Sequence, residues 1–126
     1  MAADRQEGAA ARETVAEAVI QLRRTAEFLR SMPMSRLSRG DPTVADRGRL
    51  IASSAASLAA DLAPEVGPPA GAELPAVGDP AVGDLIGMVA NELEYATATA
   101  TPVHPHDSQP AVTELILDCI RLRRTC

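Results

Sequence analysis

Four stretches of this chain place apolar residues at alternating steps of three and four, and that spacing confines the fold to packed helices. An α-helix turns about 100° per residue, so these steps keep side chains on one face. The first stretch, about residues 9 to 32, aligns Val15, Val19, Leu22, Ala26 and Leu29 and stops before Pro33. The second, about 42 to 63, aligns Val44, Gly48, Ile51, Ala55, Leu58 and Leu62 and is closed by Pro64. The third, about 80 to 99, carries Val82, Ile86, Val89, Leu93 and Ala96. Its alternating Ala-Thr run from Ala96 to Thr101 reads as a fraying helix, because a lone strand would have no partner. The fourth, about 109 to 124, carries Val112, Leu115, Ile116, Cys119 and Leu122, with Leu117 and Ile120 outside that stripe. Its apolar arc is about 220° wide, more than one neighbouring face buries.

The expected fold is all-α: one domain over residues 1 to 126, built as a four-helix up-and-down bundle with a Pro/Gly-rich loop between helices 2 and 3. That loop, PEVGPPAGAELPAVGD from Pro64 to Asp79, has no apolar period. Hydrophobic residues make up 46% of the chain, but 24 residues are Ala and the aromatics are Phe28 and Tyr95 alone, so the core is thin and a second subunit is expected to add burial. Alanines and serines from Ala52 to Ala60 make the second helix slim enough for close approach.

Two heptapeptides, GDPTVAD from Gly40 and GDPAVGD from Gly78, share five of seven residues. They read as equivalent helix starts. Asp41 and Asp79 suit N-caps, Pro42 and Pro80 suit the first helical position, and Asp46 and Asp84 complement the positive end of the helix dipole. Only the first copy is flanked by arginine.

All 12 basic residues are Arg, which removes a P-loop lysine, a Schiff-base lysine and a Ser-Lys pair together. No apolar run approaches the ~20 residues needed to span a bilayer, and the charged start, MAADRQEGAAARE, is unlike a secretory signal, so a cytoplasmic location is expected. Cys119 and Cys126 lack C-x-x-C spacing and read as a reduced core thiol and a frayed terminal one. Charge is segregated. From Gln21 to Arg49 there are seven arginines against three acids, from Asp61 to Asp118 ten acids and no base, and then Arg121, Arg123 and Arg124. One reading is internal complementarity, with basic helices one and two beside acidic helix three; the other is a surface for a partner or an anion at Arg36, Arg39, Arg47 and Arg49, grouped near the first turn.

Other candidates are thinner. His104, His106 and Asp107 form a weak metal-ligand group that lacks a fourth ligand. Glu92, near the edge of the third stripe, reads as a half-buried carboxylate paired with an arginine. The chain has no Glu-x-x-His, G-x-S-x-G, H-E-x-x-H or G-x-G-x-x-G pattern. The expectation is a non-enzymatic protein working by protein contact, with no cofactor, a homodimer through Leu117 and Ile120, and a protein partner at the Arg-rich turn. The alternatives are a bundle that binds a small ligand or metal between its helices, and an accessory protein that holds nucleic acid or phosphate at that turn. The acidic net charge of −5 and the two aromatics weigh against nucleic acid.

Overall fold

A computed structural model describes the backbone over residues 2–63, 74–99 and 105–126, and the side chains over 14–63, 74–98 and 110–126. Among the described residues there are five α-helices and no strand: α1 (Ala2–Arg30), α2 (Met34–Leu37), α3 (Val44–Leu62), α4 (Val82–Thr99) and α5 (Pro105–Thr125), with a 3-10 turn at Asp79–Ala81. The all-helical class is as expected, and the run to Thr99 is helix rather than strand. α2 is an addition to the expected set, because a helix of a single turn is too short to show a period. α5 begins upstream of the expected start, with Pro110 inside it. The Pro/Gly-rich loop lies largely outside the described residues.

The helix starts differ from the expected caps. α3 begins at Val44 with Thr43 as its N-cap, whose hydroxyl accepts a 3.0 Å hydrogen bond from the Asp46 amide. Asp41 precedes a cis peptide bond to Pro42 and follows Gly40, which sits at φ 97°, a conformation that favours glycine. In the second copy Gly78 is the cap residue, Pro80 occupies the 3-10 turn, and α4 begins at Val82. The carboxylate of Asp79 points elsewhere, to Arg49. Both copies therefore start an α-helix at their valine, and neither caps with its first aspartate.

α1 packs against α4 and α5, and α3 packs against the same two helices, giving the ring order α1, α4, α3, α5 among the described residues. Gly48 near the start of α3 faces Val82 and Ile86 at the start of α4 and Leu29 at the end of α1, while Arg47 reaches Cys126 at the end of α5. One pole of the molecule thus gathers the ends of α1 and α5 and the beginnings of α3 and α4. This corrects the up-and-down order: α3 and α4 run parallel. The end of α3 and the start of α4 thus lie at opposite poles, separated by the length of α3, roughly 28 Å at 1.5 Å per residue for its 19 residues. Apolar periodicity fixes which face of a helix is buried, and it carries no information on direction.

The expected stripes form the core. Val15, Val19, Leu22, Ala26 and Leu29 of α1 are buried, as are Val82, Ile86, Val89, Leu93 and Ala96 of α4 and Val112, Leu115, Cys119 and Leu122 of α5. Burying a leucine such as Leu22, Leu93 or Leu122 stabilises the fold by about 1.5–3 kcal/mol. α3 contributes mainly small groups, Ala45, Gly48, Ala52, Ala55 and Ala59, around Ile51 and Leu58. α1 and α4 also approach closely: a Cβ at Gly83 would stand 2.8 Å from the Ala26 carbonyl oxygen. Among the described residues, no helix is long and apolar enough to cross a membrane.

Candidate functional site

The shared pole accounts for part of the charge layout. Helix C-termini carry partial negative charge and N-termini partial positive charge. Arg30 closes α1 and Arg123 and Arg124 close α5, while Asp46 and Asp84 occupy the first turns of α3 and α4. These five charges follow the helix ends, whereas Arg47 and Arg49 sit in the first two turns of α3.

Part of the arginine set is spent on neighbouring helices. Arg23 donates to Glu94 at 3.0 Å and to the Asn91 amide oxygen at 3.1 Å. Arg30 donates to Asp84 at 2.7 Å and also pairs with Glu27. Its side chain crosses α4 where Gly83 and Gly87 leave room, so that a Cβ at Gly87 would lie 2.9 Å from the Arg30 guanidinium. The hydrogen bonds that Arg30 donates to Asp84 and Glu27 hold its pKa above the ordinary value.

The four arginines singled out near the first turn divide. Arg49 faces the segment that leads into α4, donating to Asp79 at 2.6 Å and to the Val77 carbonyl at 3.0 Å, and also donates to Asp46 of its own helix at 2.7 Å. Arg36 and Arg47 meet at Cys126, the first through its main-chain oxygen and the second through its sulfur at 3.2 Å. Arg39 is exposed and pairs with no carboxylate among the described residues. Cys126 is packed against the core rather than frayed.

Beside Arg36 an open groove of roughly 460 Å³ is lined by Arg24, Glu27, Phe28, Ser31, Met32, Arg36 and Arg123. Arg123 is anchored. It donates to the Thr25 hydroxyl at 2.9 Å, to the Gln21 carbonyl at 3.2 Å and to the Gln21 side-chain oxygen. Thr25 in turn donates to the Gln21 carbonyl at 2.9 Å, and Gln21 donates to Glu17 at 2.8 Å. This polar seam between α1 and α5 was not anticipated from composition or stripes. Its trace in the sequence is two polar residues four apart, Gln21 and Thr25, bordering the α1 stripe, and Arg123 four beyond Cys119. Burial pushes the Cys119 thiol pKa up, against the opposing effects of the Thr25 hydroxyl and the Arg123 charge.

Leu117 is exposed and Ile120 half-buried, and neither packs against the core cluster. Leu117 is 38% exposed, less than Leu50 of α3 at 64% or Tyr95 of α4 at 61%, two apolar side chains that the stripes did not single out. Glu92 is exposed rather than half-buried and has no arginine partner among the described residues, which corrects its expected pairing. On α5, burial pushes the Asp118 pKa up and Glu114 adds to that, against the charges of Arg121 and Arg47. His104 and the side chains of His106 and Asp107 lie outside the described residues. Within those residues no group of three or more potential metal ligands occurs.

Comparison with protein-family models, curated proteins and solved structures finds no match.

Proposed function

We propose that this chain is a non-enzymatic contact protein that takes an acidic protein partner at its arginine pole. One observation supports the reading: Arg24, Arg39 and Arg124 are exposed and pair with no side-chain carboxylate among the described residues, whereas Arg23, Arg30 and Arg49 are committed to acids of the fold. Unpaired arginines confer orientation and association rate on a contact with carboxylates, through planar two-pronged hydrogen bonding. In this reading the four long helices form a four-helix bundle with one crossover connection. The protein works in the cytoplasm, where Cys119 and Cys126 stay free thiols. Self-association runs along the outer face of α5 through Leu117 and Ile120, which is favoured by the exposure of Leu117.

Affinity capture from the native host lysate at physiological salt tests the partner reading. A protein retained by the wild type and lost with the triple variant Arg24→Glu, Arg39→Glu, Arg124→Glu is the expected result. Equal retention by both overturns it.

A further inference from the structure

Two positive charges, Arg24 and Arg123, line one groove without an acid of their own, and Arg36 stands beside them on the oxygen of Cys126. Arg123 is held by three hydrogen bonds to neutral oxygens of Gln21 and Thr25, which fix its position and leave its charge uncompensated. Arg36 engages a main-chain oxygen, and Arg24 is exposed with no ion-pair partner among the described residues. Glu27, the one carboxylate lining the groove, is paired with Arg30. Like charges gathered at one site raise its electrostatic potential, and an anionic occupant relieves that repulsion. Ser31 and two apolar side chains, Phe28 and Met32, complete the lining.

We infer that this groove between α1, α2 and the end of α5 is a docking site for a short acidic segment of a protein partner that carries one apolar side chain. The inference rests on the arginine-pole reading and narrows it to particular residues. Carboxylates of the segment meet Arg24 and Arg36, with Arg123 as a fixed charge behind them, and the apolar side chain covers Phe28 and Met32. Inorganic phosphate would satisfy the guanidiniums but gain nothing from Phe28 and Met32, which is why a peptide is the better fit. The anchoring of Arg123 by Gln21 and Thr25 lowers the ordering cost of binding, because that guanidinium is already in place.

Fluorescence anisotropy on the full chain tests this with a labelled acidic peptide bearing one central leucine, the same peptide with serine in place of leucine, and inorganic phosphate as competitor. The expected result is binding of the leucine peptide, weakened about tenfold or more by the serine replacement and by Arg24→Glu or Arg36→Glu. Arg39→Glu, outside the groove, is expected to change it by less than about threefold. Circular dichroism of each variant confirms that it is folded. Equal binding of the two peptides, or equal loss with Arg39→Glu, overturns the groove while leaving the arginine pole standing. Failure of both peptides to bind overturns the groove in the same way if the lysate partner is still captured, and overturns both readings if it is not. Displacement of the peptide by millimolar phosphate that itself binds as tightly overturns the choice of occupant.

Discussion

The Arg123 guanidinium of α5 donates a 2.9 Å hydrogen bond to the Thr25 hydroxyl of α1, and Thr25 has no solvent exposure. A cation thus reaches into the seam between two helices and is received there by neutral oxygens. Removing the hydroxyl takes a fully buried acceptor from a half-buried guanidinium, and such a loss costs at most about 1–3 kcal/mol. Thr25→Val, which keeps the side-chain shape, is expected to lower the urea midpoint accordingly, while Thr25→Ser recovers most of the loss. Equal midpoints for Thr25→Val and the wild type would show that the seam adds nothing to stability.

Gly83 and Gly87 look alike in sequence and should behave differently. A Cβ at Gly83 meets the Ala26 carbonyl oxygen at 2.8 Å, so alanine there pushes α1 and α4 apart and costs about 1–3 kcal/mol. A Cβ at Gly87 meets only the far end of Arg30, which can swing aside, and alanine in a helix interior gains roughly 0.5–1 kcal/mol over glycine. Thermal unfolding of Gly83→Ala and Gly87→Ala is expected to move in opposite directions, or at the least to separate clearly.

Burial raises the Asp118 pKa, which sets the sign of its pH dependence. In the folded state the carboxyl binds its proton more readily than in the unfolded chain. Its effect therefore favours folding at acidic pH, fades as pH rises through the raised folded value, and is absent above it. Asp118→Asn is expected to raise the melting temperature slightly at neutral pH. The gain is kept small by exposure and by the loss of the contact with Arg121, and it should shrink as pH falls below the ordinary carboxylate range. A gain that grows on acidification would contradict the assigned direction.

Self-association through α5 predicts a dimer by size-exclusion chromatography with light scattering, and a monomer for Leu117→Glu. Because Leu117 is exposed, the glutamate should leave the helical circular dichroism spectrum unchanged. A monomeric wild type defeats the dimer, and a dimer that survives Leu117→Glu moves the contact elsewhere, with Leu50 and Tyr95 the more exposed apolar side chains to examine.

The helical class and the buried faces were legible in the sequence because burial imposes a period on each helix, and the stripe residues are buried except Leu62 and Ile116, which are partly buried. Direction and neighbour relations were not. The parallel setting of α3 and α4 rests on contacts such as Gly48 with Val82, more than thirty residues apart, which no local spacing records. The arginine cluster was legible as composition, but its division was not, since Arg49 turns to Asp79 while Arg36 and Arg47 turn to Cys126. The polar seam escaped notice because Gln21 and Thr25 interrupt an apolar pattern only at its border.

The parallel run of α3 and α4 also bears on how the chain reaches its fold. In a bundle of simple hairpins each helix meets the next across a short turn, and much of the core forms from neighbours in sequence. Here α3 cannot zip against α4 from their connection outward, because Leu62 lies at the pole opposite to the one where Arg49 meets Asp79. Loop closure precedes the contacts that reward it. This small helical chain should consequently fold more slowly than a hairpin bundle of equal size, with the rate-limiting step at the meeting of α3 with α4 rather than at helix formation.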